Sequence, residues 1–169
     1  MADAALLQRA IDLAVANVAA GGGPFGAVVV MGGRVVGEGT NRVTATCDPT
    51  AHAEIQAIRA ACAELGRFAL DGATLYASCE PCPMCLAATH WARLDRVVYA
   101  ADRHDAAAAE FDDALLYAEI AKPNAARQRP LVHLRLPTAR APFDAWRAAA
   151  DRVPRSEERR VGKECTLRC

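Results

Sequence analysis

The chain has 169 residues, 53% apolar and 24% charged, which suits one globular, soluble domain with a core of its own. Twenty Lys and Arg balance twenty Asp and Glu, and the basic residues are scattered rather than gathered into a stripe, which argues against nucleic acid or another large polyanion as partner. No stretch approaches the ~20 apolar residues that span a bilayer, and seven cysteines without a secretory segment point to a reducing cytoplasm rather than a disulfide framework.

Residues 2–20 read as an amphipathic helix with Leu7, Ile11, Ala14 and Val18 on its apolar face, ended by Gly21-Gly22-Gly23-Pro24. Phe25–Met31 and Arg34–Glu38 are β-branched runs joined by Gly32-Gly33, a two-residue loop that admits the positive φ of a tight hairpin turn. A polar loop from Thr40 to Pro49 precedes a helix over about Thr50–Leu65, with Ile55, Ile58, Cys62 and Leu65 at core spacing. Ala73–Ser78 reads as a central strand, Pro81 opens a helix through about Arg93, and Arg96–Ala100 is a fourth strand. Helical patterning returns over Asp113–Ile120. Leu131–Leu136 reads as a fifth strand, parallel to the fourth because thirty residues separate them, and Pro142 opens a short helix holding Phe143, Trp146 and Val153. The sum is an α/β three-layer sandwich, helices on both faces of a mixed five-strand sheet.

From Arg155 to the C-terminus the apolar period disappears, and the stretch carries five basic and three acidic residues, leaving a slightly acidic remainder. It resembles translated vector or adaptor sequence. The expected division is therefore a domain over 1–153 and a non-native or disordered tail over 154–169.

Chemistry concentrates in His52-Ala53-Glu54 and Pro81-Cys82-Pro83-Met84-Cys85. His52, Cys82 and Cys85 are three zinc ligands that leave a fourth position open for water, and Glu54 stays unligated to move protons as the catalytic acid/base. Both ligand sets fall at helix starts, where the positive end of the helix dipole favours thiolate. The competing reading closes a structural site with Cys79 as fourth ligand, but such a site has no use for a carboxylate two residues past its histidine. A redox Cys-x-x-C has no use for the His-x-Glu pair either. Asn41, after the second strand, can donate and accept hydrogen bonds to a base edge, or cap its own turn. By composition alone Phe25 and Trp91 read as core, and Asp112-Asp113 as a helix cap pair of which only one is needed. His90 and His104 read as surface or packing residues.

The His-x-Glu and Pro-Cys-x-x-Cys strings resemble those of zinc-dependent nucleobase deaminases. Gly23-Pro24-Phe25-Gly26-Ala27, Asn41-Arg42-Val43, Asp48–Ile55, Ser78–Cys85, Trp91-Ala92-Arg93, Phe111-Asp112-Asp113 and Pro142–Trp146 extend the likeness to the guanine deaminase branch of the cytidine deaminase-like superfamily. That resemblance implies one zinc ion per chain, hydrolysis of guanine to xanthine and ammonia, and a cytoplasmic homodimer. It also implies a base held by Asn41, Asp113 and the Ala53 backbone, with Phe25 packed on its face and Trp91 walling the pocket. Alternatives within the same chemistry are cytosine, guanosine or a tRNA adenosine; outside it stands a zinc-stabilised interaction module. One departure is visible. Relatives close the site with a C-terminal segment carrying an aromatic residue, in some exchanged between subunits, and no aromatic residue follows Trp146 here.

Overall fold

The computed structural model describes residues 3–154, so the tail expectation lies, from Arg155 on, outside the described residues. The chain divides into two compact units at the Lys122–Pro123 junction.

In the first unit, helix α1 (Asp3–Ala19) is followed by strands β1 (Gly26–Met31) and β2 (Arg34–Thr40), which form the expected hairpin. Gly32 and Gly33 both have positive φ, 57° and 78°, the pair of values that a two-residue turn matching strand twist requires. Next come a short helix α2 (Val43–Thr46), within the stretch expected to be loop, then α3 (Ala53–Leu65), β3 (Ala73–Cys79), α4 (Pro83–Trp91) and β4 (Arg96–Ala101). Helices α5 (Arg103–Ala108) and α6 (Ala114–Ala121) complete the unit.

The sheet order is β2-β1-β3-β4, with β1 antiparallel to both neighbours and β3 parallel to β4. Successive β1 side chains alternate between two cores, as a strand dictates. Val28 and Val30 pack with Leu6 and Ala10 of α1 on one face, and Ala27 and Val29 pack with Ala53, Ala57 and Ala61 of α3 on the other, where Ala88 of α4 joins them. This is the expected α/β layering.

Among the described residues the sheet has four strands, not five. Residues 131–136 adopt no strand, and Leu131, Val132, Leu134 and Leu136 are all exposed, Leu134 by 79%. Their alternating pattern is compatible with a strand, but a strand persists only with a ladder partner and a buried face, and this segment has neither. The second unit is described by a single 3-10 turn at Asn124–Ala126 and helix α7 (Ala141–Ala148), which starts near Pro142 as expected and stops before Val153.

The buried face of α1 also differs from expectation: Leu6, Ala10, Ala14 and Asn17 point inward, while Val18 is exposed. The cause lies in the strand beneath. A side chain at Gly26 would meet the Ala10 carbonyl and the Ala14 amide at 2.3 and 2.7 Å, so helix and strand touch backbone to backbone and only small residues fit that stripe. The same contact recurs across the sheet, where Gly39 lies against the backbone of Ala53 and Ala57, and Gly37 against Ala57 and Ala61. Helix α3 is thereby pressed onto β2 with no side-chain layer between them, which fixes the helix end that carries the site.

Candidate metal centre and substrate cavity

His52 is the residue before α3 and Cys82 the residue before α4, each with extended backbone, φ/ψ of −70°/155° and −62°/167°. Neither side chain caps its own helix, which leaves both to point elsewhere. Pro83 takes the first helical position, where its missing N–H costs nothing. Cys85 follows on the same helix face as Cys82, because a cap residue and the residue three further on are neighbours. His52 Nδ1 lies 3.6 Å from Cys82 Sγ and 3.5 Å from Cys85 Sγ, and the three ligand atoms all lie within 4.8 Å of one another. A tetrahedral zinc with Zn–N near 2.0 Å and Zn–S near 2.3 Å separates nitrogen from sulfur by about 3.5 Å, so the donor set fits that ion in both identity and spacing.

The electrostatics of the trio agree. Hydrogen bonding from the Cys85 thiol, and then from His52, holds Cys82 down at about 4, so it stands as a thiolate. The same hydrogen bond to Cys82, together with burial, pushes Cys85 well up, and the bond with Cys82 raises His52.

Glu54, the second residue of α3, is only 7% exposed, and its carboxylate is not among the three clustered donors. Burial pushes its carboxyl up, and the Cys82 thiolate adds to the effect. Cys79 is not a fourth ligand. Its thiol donates to the Asp102 carbonyl at 3.5 Å, burial raises it to about 11, and it stays outside the cluster. The closed Cys3His arrangement is therefore not formed.

A cavity of about 510 Å³ is lined by His52, Glu54 and Cys82 together with Phe25, Asn41, Phe111 and Asp113. Phe25 and Phe111 meet edge to face, centroids 5.1 Å apart, and present one apolar wall.

The family described as the cytidine and deoxycytidylate deaminase zinc-binding region matches residues 1–101. The chain belongs to this deaminase family. It is 53% identical over 147 residues to the guanine deaminase of Bacillus subtilis (strain 168), covering 86% of this chain and 94% of that one. It is also similar to the X-ray structure of guanine deaminase from Bacillus subtilis, with a TM-score of 0.90, 50% identity, and 92% and 100% of the two chains covered. A tRNA-specific adenosine deaminase of Agrobacterium fabrum (strain C58 / ATCC 33970) is 51% identical over 78 residues, covering 46% of this chain and 51% of that one. The fold is thus cytidine deaminase-like and the metal is zinc.

In this deaminase, the remaining expected residues divide. Asn41 Oδ1 accepts from the Val43 amide at 3.3 Å, which leaves its Nδ2 as the atom without a partner among the described residues, on the cavity wall. Asp113 stands before α6 without capping it, because Asp112 Oδ1 accepts from the Ala114 amide at 2.8 Å instead. Burial, and then the Cys82 thiolate, raise the Asp113 carboxyl, while Arg103 pulls it down. Ala53 is fully buried at the first position of α3, where a helix amide has no partner within its own helix. Trp91 departs from expectation. It ends α4, 68% exposed, and does not line the cavity, since the nine residues of that helix carry it away from the ligand end.

Arg103 and Glu80 line the cavity and were not anticipated. The Arg103 amide donates to Glu80 Oε2 at 3.2 Å, and its guanidinium lies 4.9 Å from the centre of the Tyr117 ring. A signal was available, because Asp102 and Asp105 form a capping box that starts α5 and sets Arg103 in place.

Proposed function

We propose that this chain hydrolyses guanine to xanthine and ammonia, with residues 1–153 as the catalytic domain. The observation that carries the substrate is the extent of the likeness to a guanine deaminase: a match over 147 of 169 residues spans position 113 wherever it begins. The matches to tRNA-specific adenosine deaminases cover less of the chain, from 46% to 59%.

Zinc held by His52, Cys82 and Cys85 supplies the Lewis acidity that makes water nucleophilic near neutral pH. Glu54 acts as the proton carrier. Its buried carboxylate takes a proton from the attacking water and passes it to a ring nitrogen as the C2–O bond forms, then takes the proton of the new C2 hydroxyl and delivers it to the exocyclic nitrogen, which leaves as ammonia as the C2–N bond breaks and the C2 carbonyl forms. Asp113 accepts from a ring N–H, and the Asn41 amide donates to an acceptor on the base edge. A site built on such bonds rejects bases that cannot make them far better than an apolar pocket does. The Ala53 backbone completes the polar contacts, and Phe25, backed by Phe111, covers the base face.

No described helix is long and apolar enough to cross a membrane. The same reading places a homodimer in the cytoplasm, acting on the free base with neither nucleic acid nor membrane as partner. Purified protein incubated in parallel with guanine, guanosine, cytosine, adenine and an adenosine-bearing tRNA stem-loop, with released ammonia as readout, tests the assignment. Guanine should be turned over far faster than the others, with xanthine as product. Preference for cytosine or the stem-loop would replace the substrate.

A further inference from the structure

Asn17 is a buried polar residue on the inward face of α1, 6% exposed, in a position where a helix packed on a sheet ordinarily offers an apolar side chain. Its Nδ2 donates to two carbonyls at once, that of Gly23 at 2.8 Å and that of Asn41 at 2.9 Å. Its own carbonyl accepts from the Gly22 amide at 2.8 Å. Three segments therefore meet at one amide: helix α1, the glycine loop that follows it, and the end of β2. The latter two both line the cavity.

Steric contacts tighten the joint. A side chain at Gly22 would come within 2.4 Å of Asn17 Nδ2, so the loop is glycine there because the Asn17 amide already fills the space. A side chain at Gly23 would come 3.0 Å from Asn41 Cγ, so the loop in turn bears on the Asn41 side chain. The Asn41 amide donates to the Phe25 carbonyl at 3.1 Å, which carries the constraint to the residue covering the base face.

We propose that Asn17 is a positioning residue that fixes the orientation of Asn41 toward the substrate, by locking the Gly21–Gly23 loop to the end of β2. Asn17 does not itself line the cavity and acts through Asn41. The inference rests on the reading of Asn41 as a base-binding residue. A buried amide serving two carbonyls cannot be replaced by an apolar side chain without freeing both, and the strand end and loop would then move independently.

The test is a double-mutant cycle between Asn17→Ala and Asn41→Ala, with kcat and KM for guanine, zinc content and Tm measured on each variant. Asn17→Ala should lower kcat/KM by about ten- to a hundredfold, mainly through KM, with zinc content unchanged, since a modest misplacement of a binding group has that scale of effect. In the Asn41→Ala background the same change should add little, because the group being positioned is gone. Effects that multiply in the double variant, or a wild-type KM with only a lowered Tm, would overturn the proposal. If Asn17→Ala yields no folded protein, Gly23→Ala decides: its backbone admits alanine, and its methyl displaces Asn41 from the other side. It should raise KM without adding to Asn41→Ala, and a wild-type KM would overturn the proposal equally. If Asn41→Ala alone leaves guanine kinetics intact, Asn41 is not a binding residue and the proposal falls with that reading, a result distinct from multiplying effects.

Discussion

Asp112 and Asp113 both line the cavity, but Asp112 Oδ1 holds the first amide of α6 at 2.8 Å, which releases Asp113 from capping. The two substitutions should therefore report on different quantities. Asp113→Ala should lower guanine kcat/KM by orders of magnitude, up to about ten-thousandfold, with Tm and zinc content nearly unchanged. Asp112→Ala should instead cost about 1 kcal/mol of stability, the usual worth of a cap. Steady-state kinetics and thermal melts on both variants check the division, and an exchange of the two phenotypes would refute it.

Removal of a metal ligand should be felt throughout the first unit. Cys82→Ala removes one of the two thiols that face His52 Nδ1, and should lose zinc, activity and several degrees of Tm together, because metal affinity contributes directly to folding. Metal analysis beside a melting curve tests this. Full zinc occupancy in the variant would remove Cys82 from the ligand set, and a chelator should reproduce the variant's losses in the unmodified protein.

Glu54→Gln should keep the shape of the buried site while removing its capacity to carry protons. Zinc should remain bound, and kcat should fall by roughly a hundred- to ten-thousandfold. Near wild-type turnover would mean that the proton moves by another route.

Acid should inactivate the protein through Asp113. Burial raises its pKa, so the carboxylate picks up a proton above the ordinary range and then no longer accepts from a ring N–H. The acid limb of kcat/KM is expected to have its midpoint above the usual value for aspartate. Arg103 works in the opposite direction, holding the carboxylate ionised. Arg103→Met should therefore move the midpoint to still higher pH; an unmoved limb would assign it to another group.

The clustering of His52, Cys82 and Cys85 was legible in the sequence because each half of it is local: Cys-x-x-C after a proline sets a cap residue beside its third neighbour, and His-x-Glu opens another helix. The hairpin was legible for the same reason, in Gly32-Gly33. What was not legible depends on distant partners. Asn17 is a polar residue in an apolar-patterned helix, and only its contacts with Gly23 and Asn41, and the approach of Gly26, show that its face is buried. Leu131–Leu136 carries the alternation of a strand but finds no ladder, a fact that no window of sequence contains. Trp91 was given to the pocket by likeness, and the length of α4 moved it away. The split between Asp112 and Asp113 needed coordinates, since either could have capped the helix.

The glycine–alanine seam between β2 and α3 has a consequence for how this site withstands drift. Where two elements are spaced by backbone radii rather than by interlocked side chains, their separation is insensitive to gradual exchange of leucines and valines elsewhere in the core. Placement of His52 and Glu54 is thus decoupled from most of the interior's composition and entrusted to a few positions, Gly37, Gly39, Ala53, Ala57 and Ala61. A single methyl at Gly39 would lift the start of α3 from the sheet, moving both functional side chains as one rigid piece while touching neither. The vulnerable inheritance of this site lies in residues whose side chains have no chemistry at all.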